Sequence, residues 1–280
     1  MSVTPVHVRG GLGNQVVQSF VGVALAAEQG FDKISFVCNC AVPESKPQIA
    51  YQLKNSYLDE IFFVQNQVTI DSNGIKKTRY WQHGTAWLIT KHFSTIEKYL
   101  KLRFSKEDPI EAVVHIRSVD EKKVDDYFIY SKLVSLALAK HKSVLLIGDN
   151  QGLIDCLHLA YKDLGAFVLS PASALNDWKT LINADNIYCS PSAFAFSTKL
   201  VDLSKNIFVL NPLDYTSYQY AVNEYLFLSE LKKFFNGVNF LDSFSVHYNS
   251  LVPETSFFND IFPSSICWYL RSKEANRIAN

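Results

Sequence analysis

The chain has 280 residues, and its 27 Lys+Arg offset 27 Asp+Glu, leaving zero formal net charge with 48% hydrophobic residues. That balance suits no polyphosphate backbone, so nucleic acid is excluded as a general partner, and the apolar content excludes a disordered or fibrous chain. The six arginines are Arg9, Arg79, Arg103, Arg117, Arg271 and Arg277, and only Arg offers phosphate a planar fork of donors, so each marks a place to look.

In chain order, Val3–Arg9 reads as a strand, Gly10-Gly11-Leu12-Gly13 as a break, Asn14–Gln29 as a helix stopped by Gly30, and Lys33–Cys38 as a second strand. This is a βαβ unit, and α/β sheets bind ligands in loops at the carboxyl ends of such strands. A strand near Phe62–Ile70, a turn at Asp71-Ser72-Asn73-Gly74 and a helix over Ile89–Leu102 follow.

After a polar linker, Ser105–Pro109, strands and helices alternate. Strands are predicted over Ala112–Ile116, Ser143–Ile147, Ala166–Leu169, Ile187–Cys189 and Ile207–Leu210. Helices are predicted over Tyr127–Lys142, Leu153–Leu164, Leu175–Ile182 and Phe194–Asp202. The expected class is α/β: two Rossmann-like halves, 1–107 and 108–212, facing a ligand cleft. Residues 213–280 form an aromatic-rich, mainly helical segment, with one helix over Gln219–Phe235 ended by Asn236-Gly237. This segment either packs over the two halves or presents a protein-docking or membrane-apposed surface.

Five cysteines, Cys38, Cys40, Cys156, Cys189 and Cys267, follow no disulfide framework and suit a reducing compartment. Cys38 and Cys40 stand too close for an ordinary zinc pair, and Asp125-Asp126 lacks the context of a metal site, so no metal is expected. The start of the chain is not a basic-then-apolar leader, and the apolar stretch Val16–Ala27 falls short of the ~20 residues a bilayer requires. The expectation is a cytoplasmic protein, with peripheral membrane contact through the aromatic segment as the alternative.

Candidate ligand residues fall at strand ends. The turn Gly10 to Gly13 followed by Asn14-Gln15 opens a helix whose free N–H groups attract an anion, and two amides there can reach into the cleft. It is not the dinucleotide fingerprint, since Val16 holds the third Gly position. His115 and Arg117 share one side of a strand end by period-two spacing. Arg117 there either bridges a diphosphate or pairs with Asp120 or Asp149. Asp149 follows Gly148 at a strand end, and Asp177 is either a base- or sugar-recognising carboxylate or a helix N-cap. Ser190 and Ser192 open a helix, as phosphate ligands or ordinary caps.

In this order, Gly10-Gly11-Leu12-Gly13-Asn14-Gln15, Tyr80-Trp81-Gln82, His115-Ile116-Arg117, Asp177 and Ser192-Ala193-Phe194-Ala195-Phe196 resemble the α-1,2-fucosyltransferases, glycosyltransferase family 11, over about residues 6–212. The resemblance implies a GT-B-like, metal-independent, inverting enzyme that needs no cofactor and takes GDP-fucose as donor and a glycan hydroxyl, the 2-OH, as acceptor. It implies that Arg117 contacts the donor β-phosphate, His115 lies by the nucleotide, Asp177 holds the guanine edge and Ser192 meets the phosphates. Asn14, with Gly11, Gly13 and Gln15 around it, lies across the cleft. The chain departs from the family pattern at Ser118, where a second Arg is usual, and at Pro191 and Ala193 in the last motif. Loss of one guanidinium removes a contact worth ~1.5–3 kcal/mol. The general base is Asp120, Glu121 or His83, in falling order. Rival readings are a transferase with another nucleotide-sugar donor and a degenerate glycan-binding or scaffold subunit.

Overall fold

The computed structural model describes residues 4–8, 10–30, 34–38, 57–64, 68–70, 85–105, 107–117, 126–169, 173–210 and 219–241. The chain opens with strand β1 (Thr4–Val8), helix α1 (Leu12–Glu28) and strand β2 (Ile34–Cys38), the βαβ unit expected from its sequence. β1 and β2 pair in parallel with Val6 opposite Phe36, and a third strand, described below, lengthens this sheet. Helix α1 is buried on nearly every side, including Gln15, Gln18 and Ser19. Its Gly22 packs so close to β1 that a Cβ there would stand 2.1 Å from Val6 Cγ1.

The next stretch departs from expectation. The single strand predicted over Phe62–Ile70 is two strands in two sheets: after helix α2 (Leu58–Ile61), β3 (Phe62–Val64) and β4 (Val68–Ile70) take different partners. β4 joins β2 in parallel, while β3 forms an antiparallel pair with β5 (Leu100–Leu102). The helix predicted over Ile89–Leu102 is likewise divided, into α3 (Thr85–Lys91), α4 (Phe93–Tyr99) and β5. Arg103 explains the end of that helix, because its backbone N–H donates to the Ile61 carbonyl at 2.9 Å and its Nε to the Phe62 carbonyl at 2.8 Å. Those bonds hold Leu100-Lys101-Leu102 extended beside β3. The predicted turn at residues 71–74 and the Tyr80-Trp81-Gln82 segment lie outside the described residues.

The second unit follows the predicted alternation: β6 (Ile110–Ile116), α5 (Asp126–Leu138), β7 (Val144–Gly148), α6 (Gln151–Tyr161), β8 (Ala166–Val168), α7 (Ala174–Asn183), β9 (Ala184–Cys189), α8 (Ala193–Val201) and β10 (Asn206–Leu210). It continues past residue 212 through α9 (Gln219–Lys232) to β11 (Val238–Leu241), a strand not anticipated from the sequence. All six strands are parallel, in the order β11-β10-β9-β6-β7-β8. The chain therefore builds outward from β6 to β8, then crosses back to start again at β9 beside β6. Sheets of this kind place their ligand crevice at that reversal, outside the carboxyl ends of β6 and β9.

Helices α5 and α6 cover one face through Tyr130, Leu133, Val134, Leu157 and Tyr161. The other face carries Trp178, Phe194 and Phe196 in a single apolar cluster that runs on through Leu12, Val16 and Phe20 of α1 to Phe36 of the first sheet. The two halves thus share one core, within which α1 packs against α8. Helix α9 and the turn after it add to this core, with Phe227 against Phe196 and Phe235 against Phe93 at ring separations of 5.5 and 5.9 Å. The rest of the aromatic segment, residues 242–280, lies outside the described residues. No helix among the described residues is long and apolar enough to cross a membrane.

Candidate active site at the reversal of the second sheet

The site is built where β6 and β9 end. β6 carries His115 between two parallel neighbours, opposite Ile147 on one side and Cys189 on the other. The imidazole is buried and stacks on Phe194 of α8, with centroids 5.0 Å apart and 19° between planes. Its Nδ1 has no hydrogen-bond partner among the described residues. Burial, and then the positive charge of Arg117, pull its pKa down to about 3. His115 is therefore neutral near pH 7 and offers one N–H and one lone pair, not a charge.

Because its native pKa lies below that of an exposed imidazole, the unfolded chain takes up this proton first as pH falls. The contribution is whole above pH ~6.5 and shrinks roughly tenfold in the folding equilibrium per pH unit from there towards pH 3. An NMR titration should find the His115 ring unchanged from pH 8 to 5; a midpoint near 6.5 would contradict the buried, neutral assignment.

Two residues further on, Arg117 leaves the strand half-exposed. Its Nη1 donates to Ser192 Oγ at 3.4 Å, the long end of a hydrogen bond. Ser192 is fully buried and stands at the N-cap of α8 without capping the helix through its side chain. Sequence reasoning left Ser192 open between phosphate ligand and ordinary cap, and the geometry removes the ordinary cap. Asp177 is likewise not an N-cap. Ser173 caps α7 by accepting from Asn176 N–H at 3.3 Å, and Asp177 lies buried on the turn that follows. Asp149 follows Gly148, whose Cβ position would fall 1.8 Å from the Ile116 carbonyl oxygen, so only glycine lets β7 end against β6 here.

From the other half, Gly10 turns the chain at φ +82° and Gly11 precedes α1 as an N-cap lacking a side chain. Gly13 packs close against α8: a Cβ on it would stand 2.3 Å from the backbone N and Cα of Phe194. The first turns of α1 and α8 are therefore in backbone contact. Neither has an acidic residue in that turn and neither N-cap bonds through a side chain, so two positive helix ends meet here, beside the Ser192 that Arg117 reaches.

Gln15, expected to reach into the cleft, does not. It is fully buried, its Nε2 donates to the Gly10 carbonyl at 3.0 Å, and its Oε1 accepts from Tyr57 N–H at 2.8 Å. The amide holds the glycine turn in place because both ends are spent on backbone groups. Asn14 is partly exposed at the same helix start. Asp120, Glu121, His83 and Arg9 lie outside the described residues.

Two contributors escaped the sequence reading. Tyr130 of α5 sends its hydroxyl under both strand ends: it donates to the Arg117 carbonyl at 2.7 Å, accepts from Arg117 N–H at 2.8 Å, and lies 2.9 Å from Ser190 Oγ. Trp178 Nε1 donates to Ser197 Oγ at 2.8 Å, and that hydroxyl donates to the Phe194 carbonyl at 2.9 Å, tying α7 to the start of α8. Among the described residues, no group of three or more His, Cys, Asp or Glu is placed to hold a metal ion.

No protein-family model matches the chain, and no curated protein does. Among solved structures, the chain is similar to NodZ α-1,6-fucosyltransferase soaked with GDP-fucose, at 14% identity over 71% of this chain and 92% of that one, TM-score 0.42. It is similar to fucosyltransferase NodZ from Bradyrhizobium at 15% identity over 71% and 93%, TM-score 0.45. It is also similar to the heptosyltransferase WaaC of E. coli with ADP, at 11% identity over 75% and 87%, TM-score 0.39.

Proposed function

We propose that the chain is an inverting glycosyltransferase of the GT-B kind that moves a sugar from a nucleoside diphosphate donor, GDP-fucose by its motifs, to a glycan hydroxyl. The observation that carries this reading is the meeting of Arg117, Ser192 and two helix starts with neither a side-chain cap nor an acidic first turn at the reversal of the second sheet. Such a place suits a diphosphate: backbone N–H groups and a guanidinium serve its oxygens.

In the proposed reaction the acceptor oxygen attacks the anomeric carbon as the bond from that carbon to the β-phosphate oxygen breaks, and GDP departs with the electron pair. Arg117 stabilises the charge developing on the leaving diphosphate, an interaction that strengthens towards the transition state and so accelerates the step. The acceptor proton passes to a carboxylate, for which Asp120 and Glu121 are proposed. Asp177 is assigned the guanine edge, where N1–H and the exocyclic amine are both donors. Asp149 is kept as a candidate for a base or sugar hydroxyl, and neutral His115 for the nucleotide side. Residues 1–107 are proposed as the acceptor side and 108–212 as the donor side.

A thermal-shift panel of GDP-, UDP-, CDP- and dTDP-sugars tests the reading. GDP-fucose at a hundred times its Kd should stabilise the fold by about 2.7 kcal/mol, followed by product-linkage analysis. Stabilisation by UDP-sugars alone would move the donor to another class, and no response to any nucleotide would favour a scaffold subunit.

A further inference from the structure

Tyr130 is a buried aromatic of α5, but its hydroxyl occupies an unusual position. β6 ends at Ile116, β7 pairs only as far as Gly148, and β9 ends at Cys189. The Arg117 peptide therefore lies just past the ladder. An extended residue directs its own N–H and C=O to the same edge, so a single hydroxyl can serve both. Tyr130 does so at 2.8 and 2.7 Å, standing in for the missing strand neighbour.

A phenol has one proton and two lone pairs. The proton is committed to the Arg117 carbonyl and one lone pair to Arg117 N–H. The 2.9 Å contact with Ser190 must then use the second lone pair, so Ser190 is the donor there. This removes Ser190 as a hydroxyl donor to phosphate, because its one proton points at Tyr130. Ser192, two residues on, accepts from Arg117 Nη1 instead. The two serines divide the work: Ser190 anchors the turn and Ser192 faces the guanidinium.

We propose that Tyr130 is the positioning residue of the anion site. By holding the Arg117 peptide and the Ser190 turn to one buried oxygen, it sets the separation between the Arg117 guanidinium and the start of α8. A helix on the opposite face of the sheet thereby fixes the geometry of a diphosphate site that it does not touch. This rests on the reading of Arg117 as the diphosphate ligand.

The test compares Tyr130→Phe with Tyr161→Phe and Arg117→Ala in the full chain, using GDP and inorganic pyrophosphate as probes. Tyr161 is a matched control. It is buried between the same two helices, and its hydroxyl lies 2.5 Å from Ser131 Oγ and 3.1 Å from Ser135 Oγ, away from the strand ends. Both Tyr→Phe variants should lose similar thermal stability, each giving up buried hydrogen bonds. Only Tyr130→Phe should weaken GDP and pyrophosphate binding, by about tenfold, the scale of one displaced charge-assisted contact. GDP affinity intact in Tyr130→Phe but lost in Arg117→Ala overturns the role of Tyr130 and leaves the diphosphate site standing. Affinity intact in both overturns the donor-site reading and this proposal with it. Equal weakening in Tyr161→Phe would reduce Tyr130 to a structural residue.

Discussion

On the proposed donor, GDP-fucose, Arg117→Ala should lower the rate of GDP release, in transfer or in hydrolysis by water, by at least about a hundredfold, the usual cost of removing one preorganised donor to a developing charge. The same substitution should leave the thermal midpoint nearly unchanged. The reason is a division within the residue: its backbone bonds to Tyr130 tie the strand end down, whereas its side chain stands half-exposed and reaches Ser192 at 3.4 Å, the long end of a hydrogen bond. Arg117→Lys keeps the charge but loses the fork and should fall between wild type and alanine. Steady-state GDP release and calorimetric unfolding, measured on the same preparations, check both halves of the expectation. Near-normal turnover in Arg117→Ala would remove the guanidinium from the chemistry.

The second large effect is on the fold. Gly13→Val should destabilise the protein by about 3 kcal/mol or more, at the upper end of overpacking costs, and Gly13→Ala by somewhat less. Two terms compete in the alanine variant. Replacing glycine inside a helix gains up to about 1 kcal/mol in propensity, but the new Cβ would sit 2.3 Å from the Phe194 backbone. What it meets is backbone rather than the flexible end of a side chain, so the first turns of α1 and α8 must separate, and the overpacking term wins. Gly30 is the control. It has φ +75° and nothing within 4 Å of a built Cβ, so Gly30→Ala should cost only the left-handed backbone penalty, about 1–2 kcal/mol. Denaturant unfolding of the three variants measures this. A Gly13→Val protein as stable as wild type would mean that the α1–α8 contact is not the close packing described.

Much of this architecture was legible because it rests on local patterns. The β-branched runs, the helical spacing and the glycine stops of residues 110–210 predicted every strand and helix of that stretch within a few residues, and strand order then placed Arg117 and Ser192 at the reversal. The elements that escaped are those whose reasons are distant in sequence. β5 is the three residues Leu100-Lys101-Leu102, too short for periodicity to speak, and it is a strand because Arg103 is bonded to Ile61 and Phe62 about forty residues away. β11 is four residues given by their pairing with β10. Gln15 looked like a cleft residue because the Tyr57 N–H that takes its amide is 42 positions on. Tyr130 went unnoticed because a tyrosine in an apolar helix carries no sign of where its hydroxyl will end. Sequence could name the charged and glycine residues of the site, since their chemistry is unusual wherever they stand; it could not name the residues that hold them.

The central claim is that a donor diphosphate sits between Arg117 and the start of α8, and a crystal structure of the full chain with GDP tests it most directly. The account predicts diphosphate oxygens within about 3 Å of the Arg117 guanidinium and against the start of α8, with Gly13 and Phe194 still in contact beneath them. GDP bound elsewhere, or an Arg117 side chain turned away from the diphosphate to a protein carboxylate, would contradict it.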